Sequence, residues 1–179
     1  MKSKSKKRAL FLDRDGVINK DVEFLHRVED LEYMPGIFKL CEEFQKRGFL
    51  IFVITNQSGI ARGYFTEEDF QVLTMKIHAD FQSRGIKITK TYHCPHLPEI
   101  TGECECRKPK PGMILKAQRE FGLDLGRSIL VGDRPRDVQA GTLAGVGVVY
   151  LFSTENLCDS DYVRVVTLDE ISECFLEKP

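Results

Sequence analysis

Two carboxylates stand two residues apart in Asp13-Arg14-Asp15-Gly16, directly after the apolar run at residues 9–12. Successive residues of an extended chain point to opposite faces, so Asp13 and Asp15 would project in the same direction if the strand continues past residue 12. At such a position one carboxylate can attack an electrophile while the other transfers protons. The alternative is a solvated Asp-rich turn, which this segment by itself fits equally well.

Three further segments supply groups that suit the handling of a phosphate. Thr55 follows an apolar run, and its hydroxyl can hold a phosphoryl oxygen. Lys108 can neutralise a transferring phosphoryl group from a proline-ordered loop, where Arg107 can bind a second anion. Asp133 follows a third apolar run, and with Asp13 it offers the oxygen ligands that Mg²⁺ prefers. A capping hydroxyl and a solvated basic turn are the ordinary alternatives for the first two segments.

A compact group of sulfur and nitrogen ligands lies just before these cations: Cys94, His96, Cys104 and Cys106. Four such ligands in two close pairs suit tetrahedral Zn²⁺ with no open position, so the expected role of this metal is structural. Because Cys106 is two residues from Lys108, zinc would fix the loop that carries the cation. The remaining cysteines are expected to serve packing only: Cys41, Cys158 and Cys174.

Short apolar runs alternate with longer amphipathic stretches, which predicts an α/β fold with a parallel sheet. The expected strands are 9–12, 50–54, 88–92, 129–131 and 146–152, and the expected helices are 37–46, 67–84, 113–121, 138–144 and 167–176. Two irregular stretches, residues 14–32 and 94–110, would lie beside the carboxyl ends of strands, where open α/β sheets bind ligands. Residues 1–8 are interpreted as a basic flexible tail and residues 9–179 as one domain. The intervals between motifs leave no room for a large cap domain.

The composition limits the partners of the protein. Its 179 residues are 42% hydrophobic and 30% charged, and a formal net charge of −1 gives no overall basic field for nucleic acid. No apolar run is long enough to span a membrane and no secretory signal follows the basic start, so we expect a cytoplasmic monomer with a small-molecule partner. A zinc-stabilised module that binds nucleic acid is the alternative from another class. Such a module has no need for Asp13, Asp15 and Asp133 at strand-end positions.

Four motifs in this order resemble those of the haloacid dehalogenase superfamily of phosphatases: Asp13-x-Asp15, Thr55, Lys108 and Gly132-Asp133-x-x-x-Asp137. The resemblance implies a Rossmann-like parallel sheet with helices on both faces. It implies that Asp13 attacks phosphorus to form an aspartyl-phosphate, while Asp15 protonates the leaving oxygen and then activates water. Mg²⁺ would be held by Asp13, the backbone carbonyl of Asp15, and Asp133. Thr55 and Lys108 would stabilise the phosphoryl group, with Asp137 in a supporting position.

The segments around these motifs narrow the resemblance. Residues 13–19, 55–63 and 107–113, together with the loop of zinc ligands, resemble the D-glycero-D-manno-heptose 1,7-bisphosphate 7-phosphatases and the related histidinol-phosphate phosphatases. The Pro-Gly-Met that ends the third segment favours heptose, whereas the short interval between His96 and Cys104 is more typical of the histidinol enzymes. The heptose resemblance implies removal of the 7-phosphate during synthesis of ADP- or GDP-heptose precursors for lipopolysaccharide or other surface glycans, with either anomer open.

Without a large cap, loops must select the substrate. The residues expected to contact it are Asp21, Val22, Glu23, Phe24, Thr55, Asn56, Gln57, Ser58, Arg107, Lys108 and Arg134. A bisphosphate suits this supply of cations, because one phosphate can react at Asp13 while Arg107 or Arg134 holds the other.

Overall fold

The computed structural model describes residues 6–154 and 162–176 of the chain. Within these ranges the strands are β1 (Arg8–Leu12), β2 (Phe49–Asn56), β3 (Ile88–Cys94), β4 (Ile129–Gly132), β5 (Val148–Phe152) and β6 (Val163–Val165). The helices are α1 (Ile37–Lys46), α2 (Glu67–Gln82), α3 (Pro98–Thr101), α4 (Gly112–Phe121), α5 (Pro135–Ala144) and α6 (Asp169–Leu176). Single 3₁₀ turns occupy Val28–Asp30 and Leu125–Arg127. The strands and helices that the sequence pattern predicts are therefore all present, in the predicted order.

Every strand pairing in the sheet is parallel, in the order β3-β2-β1-β4-β5-β6. β1 lies in the interior of the sheet, where Leu10, Phe11 and Leu12 pair with β2 on one side and β4 on the other. The strand is buried on both faces, which explains its uninterrupted apolar run. The predicted α/β fold with a parallel sheet is confirmed.

Two hydrophobic clusters lie on opposite faces of the sheet. The side chains of β1 alternate between the two clusters: Leu10 and Leu12 pack in the cluster on one face, and Ala9 and Phe11 pack in the cluster on the other. Helices α1, α2 and α6 cover the first face, and α4 and α5 cover the second. Each fully buried leucine or phenylalanine contributes about 1.5–3 kcal/mol. The two layers therefore hold the strand ends in a fixed relation to one another, as a site built on those ends requires.

Local sequence signals set the limits of the helices. α2 begins after Thr66, whose hydroxyl accepts a hydrogen bond from the Asp69 backbone N–H, while the Asp69 carboxylate accepts one from the Thr66 N–H. This reciprocal cap satisfies two N–H groups that have no partner inside the helix. α4 is followed by Gly122, whose φ of 67° lies in the left-handed region that glycine adopts without strain.

The structure corrects the sequence prediction in three places. Arg8 belongs to β1, where it pairs with Phe49, rather than to a flexible tail. Its guanidinium donates to the Arg47 carbonyl at 2.6 Å and lies over the Phe49 ring. Residues 1–5 of that tail lie outside the described residues. Two elements also form that the apolar pattern did not indicate: α3, within the loop 94–110, and β6, at Val163–Val165.

Cys41 packs in the core on α1, as expected. Cys158 lies outside the described residues, as does the side chain of Cys174.

Across the described ranges, none of the helices combines the length and apolar character needed to cross a membrane.

Candidate active site

The carboxyl ends of three neighbouring strands bring the expected polar residues to one edge of the sheet. Asp13 follows β1, Thr55 lies near the end of β2, and Asp133 follows β4. These strands are adjacent in the order β2-β1-β4, so their ends meet where open α/β sheets bind ligands. The Asp13 backbone N–H donates to the Val131 carbonyl at 3.0 Å, which extends the β1–β4 pairing by one residue and fixes the backbone at Asp13.

Lys108 reaches this edge from the loop before α4 and supplies a buried cation. Its side chain is 1% exposed, and its Nζ lies 2.9 Å from Asp13 Oδ1 and 2.7 Å from Asp137 Oδ1. The ammonium also donates to the Ile54 carbonyl at 2.9 Å. Burial alone would lower the pKa of Lys108, but Asp13 and Asp137 together raise it above its ordinary value. The ammonium therefore stays charged, and Asp137 holds it against Asp13.

Negative charge is in excess at this edge of the sheet. Burial raises the pKa of Asp13 to about 7; Lys108 opposes this shift, and neighbouring carboxylates, led by Asp137, add to it. Burial also raises the pKa of Asp133 to about 6, with a further contribution from Asp137. Lys108 opposes both shifts, and Arg134 opposes the shift at Asp133, yet both pKa values stay raised, so the site favours a further positive charge.

Three carboxylates form an acidic group whose nearest oxygens lie within 4.8 Å of one another: Asp13, Asp133 and Asp137. Asp137 already pairs with Lys108 and accepts the Arg134 backbone N–H at 3.0 Å. Asp133 Oδ1, in contrast, is buried and has no hydrogen-bond partner among the residues that the structure describes. Hard divalent cations bind carboxylate oxygens, and an unpartnered buried oxygen is what such an ion would satisfy. Asp13 and Asp133 thus fit Mg²⁺, whereas Asp137 serves the lysine.

Two glycines allow these acids to approach one another. Gly16 has a φ of 87°, and a Cβ at this position would lie 2.3 Å from Asp133 Oδ2. At Gly132 a Cβ would lie 2.2 Å from the Cβ of Asp137. Any larger residue at either position would displace a carboxylate of the site, which explains why glycine occupies these two positions.

The Asp15 carboxylate is held by its own set of donors. Arg14 donates from Nε to Oδ1 at 3.1 Å and from Nη2 to Oδ2 at 3.0 Å. Asn19 Nδ2 donates to Oδ1 at 3.0 Å, and Gln57 Nε2 donates to Oδ2 at 2.9 Å. The Asp15 side chain is still 24% exposed. It is therefore oriented by buried partners yet remains accessible to a substrate.

Arg14 and Asn19 are site residues that the sequence interpretation missed. Arg14 is 1% exposed, and besides Asp15 its guanidinium contacts the Leu25 carbonyl at 2.9 Å. An arginine between two aspartates is a signal that could have indicated this pairing. The Asn19 contact depends on a tight turn, in which the Ile18 and Asn19 N–H groups both donate to the Arg14 carbonyl, and no sequence pattern specifies that turn.

The residues at the end of β2 and directly after it, expected to contact substrate, are largely occupied by internal hydrogen bonds. The Thr55 hydroxyl accepts a hydrogen bond from Gln57 Nε2 at 2.8 Å, and Thr55 is 1% exposed. Asn56 exchanges two hydrogen bonds of 3.0 Å with the backbone of Lys108. Gln57 is buried, and Ser58 is partly exposed. Asn56 thus positions the lysine rather than facing solvent freely.

Arg134 joins two carboxylates beside the acidic group. Its Nη2 donates to Asp21 Oδ2 at 3.0 Å, and its Nε lies 3.2 Å from Asp133 Oδ2. An open cavity of about 410 Å³ adjoins Asp133 and Arg134 and extends to the end of β5. Asp21, expected in the substrate loop, is therefore tied to the same edge of the sheet as Asp133.

The rest of the expected substrate loop is exposed at its tip. Val22 is 43% exposed, and Glu23 is exposed. Phe24 adopts a φ of 60°, which is unusual for a residue with a side chain, and its ring packs edge-on against Tyr64 at 4.7 Å between centroids. The Arg62 guanidinium lies over the Phe24 ring at 6.0 Å. Tyr64 and Arg62 extend this exposed surface beyond the residues that the sequence interpretation selected.

The four expected zinc ligands converge: Cys94, His96, Cys104 and Cys106. Their sulfur atoms are separated by 2.9–3.6 Å, and His96 Nδ1 lies 3.3 and 3.5 Å from two of them. Four ligands about 2.3 Å from one zinc ion would lie roughly 3.5–3.8 Å apart. The separations of 3.3–3.6 Å are close to that range, and the Cys94–Cys106 separation of 2.9 Å is shorter. The cysteines among them are free thiols. The residues present therefore fit Zn²⁺ bound through Nδ1 and three thiolates.

Hydrogen bonds to two backbone carbonyls of this cluster connect it to the acidic edge. The Gln57 N–H donates to the Cys94 carbonyl at 2.7 Å, and Arg107 Nη1 donates to the His96 carbonyl at 3.1 Å. Lys108, next in the chain, is then held by Asn56. The Cys/His cluster thus positions two residues: Gln57, whose neighbour Asn56 holds Lys108, and Arg107, which directly precedes Lys108 in the chain.

The carboxyl edge of the parallel sheet presents an aspartate pair, a hydroxyl, a buried lysine and a further aspartate. This arrangement defines the class of protein, which is a hydrolase of phosphate esters. Residues 105–154 match the family model described as HAD-hydrolase-like. The chain is 49% identical over 173 residues to the D-glycero-alpha-D-manno-heptose-1,7-bisphosphate 7-phosphatase of Campylobacter jejuni, covering 97% of this chain and 98% of that one.

A second relative is the D-glycero-beta-D-manno-heptose-1,7-bisphosphate 7-phosphatase of Photorhabdus laumondii, at 44% identity with 82% of this chain and 80% of that one covered. A crystal structure of D,D-heptose 1,7-bisphosphate phosphatase from B. bronchiseptica, complexed with magnesium and phosphate, superposes with a TM-score of 0.86 at 29% identity, covering 96% of this chain and 99% of that one. The chain belongs to the heptose-1,7-bisphosphate 7-phosphatase family of haloacid dehalogenase-like hydrolases, and it is a phosphoric monoester hydrolase.

Proposed function

We propose that the protein removes the 7-phosphate from D-glycero-D-manno-heptose 1,7-bisphosphate in a Mg²⁺-dependent reaction, in the cytoplasmic synthesis of ADP- or GDP-heptose precursors. The observation that carries this proposal is the 49% identity, over nearly the whole of both chains, to a relative named for that reaction. The buried pair of Asp13 and Lys108 supports it, because a carboxylate beside a fixed cation suits attack on a phosphate.

In the first step, an oxygen of the Asp13 carboxylate attacks the phosphorus of the 7-phosphate, and the bond from phosphorus to the sugar oxygen breaks. Lys108, 2.9 Å from Asp13 Oδ1, offsets the charge that gathers on the phosphoryl oxygens. Asp15 transfers its proton to the leaving sugar oxygen. The products of this step are a heptose 1-phosphate with a free 7-hydroxyl and an aspartyl-phosphate at Asp13.

In the second step, water attacks the phosphorus of the aspartyl-phosphate while Asp15 takes a proton from that water. The bond from phosphorus to Asp13 breaks, inorganic phosphate leaves, and the Asp13 carboxylate is restored. Mg²⁺ would be held by Asp13, Asp133 and the backbone carbonyl of Asp15, where it supplies positive charge against the repulsion between carboxylate and phosphate. Thr55 would hold a phosphoryl oxygen.

The second phosphate of the substrate has a candidate partner in Arg107. Its Nη1 donates to the His96 carbonyl, which orients the guanidinium, and within the part of the chain that the structure describes its other N–H groups remain for an anion. Histidinol phosphate, the other substrate considered from the sequence, has no second phosphate for this group. The α anomer of the heptose is the first substrate to test, because the relative at 49% identity is named for α and the one at 44% for β.

The test measures kcat/KM with both heptose bisphosphate anomers and with histidinol phosphate, with and without Mg²⁺. We expect one heptose anomer to exceed histidinol phosphate by at least about 100-fold, and turnover to require Mg²⁺. A hydroxylamine-labile phosphoryl group should form on the wild-type protein in rapid-quench samples and should be absent from Asp13→Asn. Preference for histidinol phosphate would contradict the substrate, and labelling of Asp13→Asn would contradict the nucleophile.

A further inference from the structure

Gln57 is buried between two groups of the proposed reaction. It lies directly after β2 and is 4% exposed. Its side-chain Nε2 donates to Asp15 Oδ2 at 2.9 Å and to Thr55 Oγ1 at 2.8 Å. Its Oε1 accepts a hydrogen bond from Arg14 Nη2 at 3.3 Å. Both ends of the amide are therefore engaged by the site.

Only one orientation of this amide satisfies its neighbours. If the oxygen and nitrogen were exchanged, an acceptor would face the Asp15 carboxylate and a donor would face the Arg14 guanidinium. A buried polar group without a partner costs about 1–3 kcal/mol, and more beside a charge. The surrounding charges thus fix the direction of the Gln57 amide.

The backbone of Gln57 is fixed independently of its side chain. Its N–H donates to the carbonyl of Cys94, one of the four residues of the Cys/His cluster, at 2.7 Å. The residue is held from the cluster on one side and spans Asp15 and Thr55 on the other. It is the direct hydrogen-bonded connection between the carboxyl proposed to transfer protons and the hydroxyl proposed to hold the phosphoryl group.

We infer that Gln57 is a positioning residue, which sets the Asp15 carboxyl relative to the phosphoryl group held at Thr55 so that the proton reaches the leaving oxygen. This inference rests on the proposed function, because it assigns Asp15 the proton transfer. It differs from the expectation that Gln57 binds substrate directly. Its buried amide acts through Asp15 and Thr55 instead.

The test compares two substrates whose leaving groups differ in their need for a proton. A sugar alkoxide needs a proton as it departs, whereas nitrophenolate leaves as a stable anion. For Gln57→Leu, kcat/KM with heptose bisphosphate should fall at least about 30-fold, but with p-nitrophenyl phosphate less than about 5-fold. The ratio of the two rate constants on one preparation does not depend on the fraction of folded protein, so partial misfolding cannot imitate the result.

Two further variants sharpen the comparison. Gln57→Glu keeps the size of the side chain and an acceptor for Arg14 but removes both N–H donors. It should therefore also lower kcat/KM for heptose bisphosphate relative to kcat/KM for p-nitrophenyl phosphate. Thr55→Val should reduce both substrates alike, because it removes a phosphate contact. Gln45→Leu is the matched control: Gln45 bonds the Gly85 carbonyl and the Lys87 N–H away from the site, and its loss should leave the ratio unchanged.

Equal losses on both substrates in the Gln57 variants, or no loss, would overturn the positioning role. If the wild-type protein releases no phosphate from heptose bisphosphate, the proposed function fails instead. The two failures are therefore distinguishable in one set of measurements.

Discussion

Lowering the pH from 8 to 6 should weaken Mg²⁺ binding about 20-fold. Protons compete with the metal for Asp13 and Asp133, whose pKa values in the metal-free protein are raised to about 7 and about 6. Both carboxylates are almost fully ionised at pH 8. At pH 6 about a tenth of Asp13 and about half of Asp133 are ionised, and the product of these fractions gives the expected loss of affinity. Because both pKa values are raised, binding weakens as the pH falls.

Isothermal titration of Mg²⁺ in buffers with different enthalpies of ionisation measures both the affinity and the protons released. We expect about one proton released per Mg²⁺ at pH 6.5 and about 0.1 at pH 8. Asp169→Asn, which removes an exposed carboxylate paired with Lys39 on the surface, should show the same dependence as wild type. An affinity that is equal at pH 6 and 8, or binding without proton release, would refute the reasoning from the buried carboxylates.

Three further predictions follow from the loop that carries the lysine. Lys108→Met should lower the free energy of unfolding by about 3 kcal/mol in urea titrations at pH 8, because two buried carboxylates lose their cation, and by less at pH 6; an unchanged midpoint would contradict the buried pair. Gly112→Ala should reduce bound zinc and kcat together, because a Cβ there would lie 2.0 Å from the Glu105 carbonyl oxygen, whereas Gly126→Ala, with its nearest atom at 3.7 Å, should change neither. Arg107→Ala should lower kcat/KM for the bisphosphate at least about tenfold more than for the 7-monophosphate, and equal losses would remove its role in holding the second phosphate.

The strand ends of this site could be predicted because each apolar run stops at a polar residue. Asp13, Thr55 and Asp133 follow such runs, and parallel pairing then places them at one edge. Cys94 and His96 were predictable for a similar reason, since ligand type and close spacing are properties of the sequence itself. These features depend on periodicity and chemistry, both of which a sequence displays directly.

Other features of the site depend on tertiary neighbours and could not be predicted. The inward direction of Gln57 is set by Arg14 and Asp15, which approach it from a different strand end. Arg8 looks like part of a basic tail, yet its backbone belongs to β1, and its guanidinium lies over the Phe49 ring and donates to the Arg47 carbonyl. A charged residue gives no sequence signal for such a contact, because its long apolar stem can cover a ring while its charge meets a carbonyl.

Position-resolved ³¹P NMR of heptose 1,7-bisphosphate hydrolysis tests the central claim most directly. With the wild-type protein and Mg²⁺, the 7-phosphate resonance should disappear as inorganic phosphate appears, while the 1-phosphate resonance persists. Asp13→Asn should leave both resonances unchanged. Loss of the 1-phosphate first, or phosphate release by Asp13→Asn at the wild-type rate, would contradict the account.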